Sequence, residues 1–263
     1  MGAPIINAAE FTAYVLVLLR VSTVIVFAPI FSGNTVLTQV KVLLCLMMTF
    51  AVAPQVEYNA SMLPMTWYGY VPLMLGEFII GFTLSFMVKV ILEAVKMAGE
   101  YMSFQMSLSM LNSMDPTSGG QTPQLALLLH MFMSLIFLYA NGHMLLIKAM
   151  VESFTIAPPG LLNIWRPEIF TEVIRAMLGM NILALQIAGP VIGVLFCVKA
   201  AFGIVAKAVP QMNILFVGIP VYIIVGFSVL GFSMPWWPQI LGQLLVGVDG
   251  TLDRLLHYFA PVQ

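Results

Sequence analysis

Long apolar stretches, separated by short groups of polar and turn-forming residues, make up most of this 263-residue chain. A helix needs about 20 apolar residues to cross a bilayer core of about 30 Å. Six stretches reach or approach that length, and we predict a helix for each of them: Phe11–Phe31, Val42–Ala53, Trp67–Leu92, Leu125–Leu138, Ile169–Val198 and Met212–Met234. The predicted fold class is therefore all-α, with polytopic, membrane-associated helical hairpins.

Prolines, glycines and charges interrupt several of these helices. Pro190 and Pro220 lie inside two of them, and Asn141-Gly142-His143 predicts a bend after the fourth. We predict a break region at Lys148–Glu172. We also predict two separate shorter helices, Ala200–Pro210 and Gln239–Ala260. Because freed backbone groups find no partner in lipid, such broken helices are poor independent spans and are better suited to packing against other protein.

The stretch Ala98–Pro123 joins a helical pattern to a loop. A methionine recurs at every fourth position, on one side of a helix: Met102, Met106, Met110 and Met114. Asp115-Pro116 ends any helix, since proline lacks the N–H and disfavours helical geometry in the preceding residue. Such a stripe most often fills an irregular core. The alternative, which the adjoining polar loop favours, is that flexible thioethers close around a passing chain of variable shape.

Two charged residues, Arg20 and Glu77, lie in the middle of predicted spans. An arginine facing lipid at that depth costs several kcal/mol, so Arg20 must face a partner, water or a carboxylate. An acid inside a span is by default a functional hypothesis, such as proton coupling or ion binding. The plainer interpretation is that Glu77 pairs with a basic residue. Gly76 and Gly81 allow another helix to approach closely.

Composition and charge exclude several classes of function. The chain is 61% hydrophobic and 8% charged, whereas a soluble domain is about 45–50% apolar and about 25% charged. Its net charge of -1 lacks the excess of positive charge that is typical of nucleic-acid-binding proteins. The histidines lack metal-ligand spacing, and no phosphate loop or nucleophile elbow is present. We predict buried hydrophobic roles for Cys45 and Cys197, no catalytic residue, no metal site, no cofactor and no enzymatic activity.

An ordered set of short motifs resembles the FliR family of flagellar biosynthesis proteins, whose counterparts serve virulence type III secretion systems. The motifs cover nearly the whole chain and include Ala28-Pro29, Gly76-Glu77, Gln105-Met106, Asp115-Pro116, Asn141-Gly142-His143 and Pro210-Gln211-Met212-Asn213. Each motif alone is weak, but the ordered set is specific. The chain departs from the family at Ser107, where glycine is usual, and at Lys207, where arginine is usual. Ser107 adds a side chain where none is expected.

The resemblance implies a single-copy subunit of an export gate, with residues 1–263 forming one subunit (1–123 ending in the plug loop, 124–263 the C-terminal hairpins). Such subunits assemble with several copies of FliP and FliQ into a helical cone, and FlhB surrounds its cytoplasmic opening. Unfolded flagellar export substrates pass through the cone, which belongs to the flagellar basal body at the bacterial inner membrane, in contact with lipid. The loop matching about Ser107–Thr117 plugs the closed pore.

The residues that we expect to matter follow from the stripe, the loop and the intramembrane charges. For the pore and plug they are Met102, Met106, Ser107, Met110, Leu111, Asn112, Met114, Asp115 and Pro116. For charge pairing and assembly they are Arg20, Glu77 and Lys207. Two alternatives remain open: an ion-coupled small-solute transporter that uses Glu77, and an assembly scaffold with no pore-lining role.

Overall fold

Every regular element in the described part of the chain is helical. The computed structural model describes residues 8–29, 31, 36–56, 67–108, 123–159, 167–209, 211 and 213–260. The α-helices within these ranges are α1 (Ala8–Phe27), α2 (Thr38–Val52), α3 (Tyr70–Gln105), α4 (Gln124–Tyr139), α5 (Gly142–Ile156), α6 (Pro167–Ala208), α7 (Ile214–Ser233) and α8 (Trp237–Phe259). The protein is an all-α polytopic membrane protein, as the sequence predicts.

Five stretches of the described helices are long and apolar enough to cross a membrane: Glu10–Phe27, Thr38–Gln55, Tyr70–Gln105, Pro167–Ala208 and Phe216–Ile240. A sixth candidate is the pair α4 and α5, which are bent by 64° relative to each other. Asn141 lies at the bend with a φ of 57°, a left-handed conformation that asparagine tolerates. A Cβ at Gly142 would overlap the Phe137 ring. The bend predicted at Asn141-Gly142-His143 is confirmed.

One predicted break is wrong, and a second, Lys148–Glu172, contains the end of α5 and the start of α6 but is too wide at both ends. Ile169–Val198 and Ala200–Pro210 were expected to be separate, but α6 continues through Lys199 as one helix of 42 residues, because the Lys199 ammonium finds an acceptor on α3. The predicted break region Lys148–Glu172 begins inside α5. Lys148 and Glu152 lie one turn apart on α5, 3.7 Å from each other, so the charges form an exposed pair along the helix rather than a break.

The chain folds into two compact units. The first contains Met1–Val90, Phe137–Ala176 and Val246–Gln263, and the second contains Ile91–Ile136 and Met177–Leu245. Helices α3, α4, α6 and α8 each contribute to both units. The two charges predicted inside spans lie in the first unit, and the described part of the methionine stripe lies in the second.

In the first unit, α1 and α3 approach closely because glycine and serine replace larger side chains at their crossing. A Cβ at Gly81 would lie 2.8 Å from the carbonyl oxygen of Arg20, so the close contact requires glycine there. One turn further along α3, the Ser85 hydroxyl donates to the carbonyl oxygen of Val24 over 2.8 Å. The Phe27 ring packs edge-on against Phe82, with centroids 5.1 Å apart. These contacts place Arg20 and Glu77 on facing helices.

In the second unit, α3 packs against α4 at another glycine. A Cβ at Gly99 would lie 2.6 Å from the Cα of Ala126, which is a backbone atom that cannot move aside alone. Ala98, Met102 and Met106 follow the same buried side of α3, and none of them has measurable solvent exposure. The last helical turns of α3 are thus part of a packed core.

Candidate functional site

Arg20 and Glu77 form an ion pair inside the first unit. The Arg20 Nε donates to Glu77 Oε2 over 2.5 Å, and the two side chains are 0% and 4% exposed. An isolated ion in such a position would carry a large desolvation penalty, so each charge requires the other. The structure thus supplies the partner of Glu77 that the sequence left open.

The rest of the Arg20 guanidinium binds the end of helix α5. Its Nη1 donates to the carbonyl oxygen of Ser153 over 2.8 Å and to the Ser153 hydroxyl over 3.1 Å. Its Nη2 donates to the carbonyl oxygen of Ala157 over 2.9 Å. The Phe154 ring covers the guanidinium, whose Cζ lies 4.3 Å from the ring centroid. The cation therefore binds the carbonyl end of α5, where the Ser153 carbonyl oxygen also accepts the Ala157 amide over 3.0 Å.

This arrangement connects three helices through one side chain. Arg20 lies on α1, Glu77 on α3 and Ser153 on α5, and the contacts use both the charge and the planar shape of the guanidinium. At least four of its N–H donors have described acceptors, one from Nε, two from Nη1 and one from Nη2. A fully buried group with this many hydrogen bonds stabilises one packing arrangement of the helices and offers little room for a coupling ion.

A small apolar cavity lies near this group in the first unit. Its lining includes Val24, Ala28, Phe137, Leu146 and Met150, and its volume is about 110 Å³. A water molecule needs two to four polar partners, so a cavity with this lining is expected to stay dry. His143 also lines the cavity, and its Nδ1 is buried without a hydrogen-bond partner among the described residues. Apart from His143, the described lining is apolar, so the cavity offers few polar contacts to orient a ligand.

The described part of the methionine stripe lies in the core of the second unit. Met102 and Met106 are both fully buried, so they can back the wall of a pore but do not line its surface within this chain. A Cβ at Gly226 of α7 would lie 2.5 Å from the Met106 Cε, so α7 and the end of α3 are in close contact. Core filling fits this burial, whereas thioethers that close around a passing chain need a surface that Met102 and Met106 do not have within this chain.

Ser107 takes a backbone conformation that glycine adopts more easily. Its φ is 62°, in the left-handed region, and its amide donates to the carbonyl oxygen of Phe104 over 3.1 Å. A serine Cβ costs about 1–2 kcal/mol in that region relative to glycine. The position where the resemblance expects glycine is thus a position where the geometry favours glycine.

The remaining predicted site residues are separate from these contacts or undescribed. Lys207 is exposed in the last turn of α6, where a positive charge complements the carbonyl end of the helix. The rest of the predicted plug lies outside the described residues: Met110, Leu111, Asn112, Met114, Asp115 and Pro116.

Metal chemistry has no support in the described residues. No group of three or more His, Cys, Asp or Glu side chains in that part of the chain could hold a metal ion. Cys45 is buried as predicted, but Cys197 is exposed, so the prediction of a buried role is wrong for Cys197. The reason is that much of the apolar surface of α6 faces outward, toward lipid or another protein rather than the core of this chain.

Sequence reasoning missed several residues of these contacts. The carbonyl oxygens of Ser153 and Ala157 carry no signal in a sequence, because every residue has one. Lys199 did carry a signal: like Arg20, it is a basic residue inside an apolar helix that needs a partner. Its acceptor is Gln105, 94 positions earlier in the chain.

The chain is similar over most of its length to known bacterial export proteins. Residues 11–247 match the model of the bacterial export proteins, family 1. The chain is 34% identical over 220 residues to the flagellar biosynthetic protein FliR of Escherichia coli K12, covering 83% of this chain and 82% of that protein. It is 29% identical over 229 residues to FliR of Bacillus subtilis 168, covering 84% and 85%. The secretion system apparatus protein SsaT of Salmonella typhimurium is 24% identical over 216 residues, covering 82% of each chain.

Proposed function

Because the chain belongs to the bacterial export proteins, family 1, we propose that it is a non-enzymatic subunit of the flagellar type III protein export channel. The observation that carries the proposal is the match over residues 11–247, which includes both compact units. The identity of 34% to a protein named FliR, against 24% to SsaT, favours a flagellar system over a virulence system.

In this proposal one copy of the chain assembles with several copies of FliP and FliQ, and FlhB binds the complex at the bacterial inner membrane. The outward-facing helices support such an assembly. Only 22% of the apolar window Phe216–Ile240 and 33% of that in Pro167–Ala208 are buried within the chain. The exposed apolar surface is available to lipid and to partner subunits, and proline inside α6 and α7 suits protein-facing helices.

Unfolded export substrates would pass a constriction formed in part by this subunit. Met102 and Met106 back the wall of the pore at the end of α3, and the segment Ser107–Thr117 occludes the closed channel. The left-handed turn at Ser107 supports this role, because it ends α3 at the point where the segment begins. Energy for transport comes from other components of the apparatus.

The alternative function, an ion-coupled transporter using Glu77, is less well supported by the geometry. A coupling acid must exchange its ion during the cycle, which requires access and a change of partner. Glu77 is 3% exposed and directly paired with a fully buried arginine. This environment favours a role for Glu77 in folding and assembly.

Native mass spectrometry tests the proposal. The tagged chain is co-expressed with FliP and FliQ from the same organism and purified in mild detergent. We expect one copy of the chain bound to several copies of each partner. A stable monomer or homodimer that leaves both partners unbound would contradict the proposal. Expression of the tagged chain without the partners serves as the control for self-association.

A further inference from the structure

The last turn of α3 is held by side chains from α6 and α7, all within the second unit. The Lys199 Nζ on α6 donates to Gln105 Oε1 over 2.8 Å. The same ammonium lies 5.5 Å from the centroid of the Tyr222 ring on α7, within the range of a cation–π interaction. Phe202 of α6 packs edge-on against Tyr222, with centroids 5.6 Å apart. One lysine of α6 thus contacts both the end of α3 and a ring of α7.

Gln105 is the final residue of α3, so this contact acts at the point where the helix stops. The Met106 amide still donates to the Met102 carbonyl oxygen over 2.8 Å. The next amide, that of Ser107, bonds only three residues back, to Phe104, and Ser107 adopts the left-handed conformation. The helical hydrogen bonding therefore changes within two residues of the Lys199 contact.

The contact is polar but is not an ion pair. Among the ion pairs formed by the described residues, none includes Lys199. A hydrogen bond from a charged donor to a neutral amide oxygen is stronger than one between neutral groups. The bond between Lys199 and Gln105 also differs from the contact at Arg20, where two buried charges each require the other. A bond of this kind can be broken and formed again without leaving a carboxylate unpaired.

From these contacts we infer that Lys199 is a positioning residue, which fixes the carboxyl end of α3 and so maintains the closed state of the channel. The inference rests on the proposed function, because it concerns the pore that this end of α3 supports. Lys199 acts through Gln105 and Tyr222, and the inference assigns it no contact with the passing substrate.

Hydrogen exchange tests whether Lys199 fixes the helix end. In the purified complex, Lys199→Met keeps the length of the side chain but removes the donor and the charge. We expect the amides of residues 105–107 to exchange at least about tenfold faster than in the wild type, since a lost charged hydrogen bond shifts a local opening equilibrium by that order. The control is Lys148→Met, which removes an exposed lysine from α5 in the first unit and should leave these amides unchanged.

A double variant separates the specific contact from a general effect of removing lysine. Gln105→Lys combined with Lys199→Gln exchanges the donor and the acceptor while keeping one hydrogen bond and one charge. We expect it to restore slow exchange that Lys199→Met and Gln105→Lys alone abolish. Unchanged exchange in Lys199→Met, or no recovery in the double variant, would overturn the inference.

Conductance of the assembled complex in a planar bilayer then tests the effect on the pore. We expect Lys199→Met to raise the leak of closed complexes at least severalfold, and the double variant to lower it again. Faster exchange with no added leak would overturn the inference, provided that deleting Ser107–Thr117 does cause leakage. If that deletion causes no leak either, the proposed plug is wrong, and the role of Lys199 in pore closure falls with it. Faster amide exchange in Lys199→Met would then show only that Lys199 anchors the end of α3.

Discussion

Arg20 on α1 and Glu77 on α3 are bound side chain to side chain in a part of the protein where neither can reach solvent. The guanidinium also takes its remaining acceptors from the last turn of α5 and the residue that follows it. Removing the carboxylate would leave the arginine with neutral acceptors, and removing the arginine would leave the carboxylate without its counter-charge. The pair is therefore most sensitive to changes of a single partner.

We predict that Arg20→Met lowers the stability of the chain by about 3–5 kcal/mol, because Glu77 stays buried without its cation. The measurement is the yield of folded chain in mild detergent and its thermal unfolding midpoint. The double variant Arg20→Met/Glu77→Met removes both charges and should recover part of the loss. A single variant that unfolds at the wild-type temperature would contradict a structural role for the pair.

Glu77→Gln separates the export subunit from the alternative transporter. Glutamine keeps the shape of the side chain and retains an acceptor for the Arg20 Nε, but it removes the counter-charge. We expect a lower yield of the complex with FliP and FliQ, and normal export per assembled complex. Full assembly combined with complete loss of transport would instead favour Glu77 as a coupling acid.

Deletion of Ser107–Thr117 should make closed channels conduct ions, because the proposed plug is then absent. The assembled complex is measured in a planar bilayer without export substrate. The control replaces the same residues by glycine and serine at equal length, which should also leak if the native side chains form the plug. Wild-type conductance in the deletion variant would count against occlusion by this segment.

Ser107→Gly should raise the thermal midpoint of the chain, by an amount equivalent to about 1 kcal/mol, because glycine adopts a φ of 62° without a Cβ clash. Ser228→Gly provides a control of opposite sign, since it places glycine inside the regular helix α7. Both variants are measured on the isolated chain in the same detergent. A lower midpoint for Ser107→Gly would show that the serine side chain makes a contact that outweighs the backbone strain.

Gly99→Ala should destabilise the second unit by about 1–3 kcal/mol, because the new methyl group must displace the backbone at Ala126. Gly179→Ala is the matched control within a helix of the same unit. Apart from its chain neighbours and the backbone of its own helix, a Cβ there meets no described atom within 4 Å, so the thermal midpoint should not fall. Equal losses in the two variants would indicate that glycine at position 99 has no special packing role.

The sequence was sufficient to locate the apolar helices because their length and hydropathy are local properties. It also predicted the bend at Asn141, where asparagine and glycine favour a conformation that a regular helix excludes. The sequence-based prediction failed at Lys199, because a charge inside an apolar stretch indicates a helix break unless its acceptor is known. That acceptor, Gln105, belongs to another helix, and no periodicity within α6 identifies it.

The candidate site shows the same limit. Arg20 and Glu77 could each be recognised as a buried charge that requires a partner. Their pairing depends on the crossing of α1 and α3 at Gly81, and glycine indicates only that something approaches closely. Two of the acceptors at the end of α5 are backbone carbonyl oxygens, which residue identity does not reveal. The pairing thus became visible only when the three helices were seen together.

The position of the Arg20 acceptors along the chain has a consequence for biosynthesis. Arg20 is translated before the carbonyl groups that it binds, which lie 133 and 137 residues later. At about 5–20 residues per second, the ribosome needs on the order of ten seconds to reach them. During that interval the nascent chain holds a guanidinium in its first apolar segment without these acceptors. The final placement of α1 is therefore a late event in the maturation of the subunit.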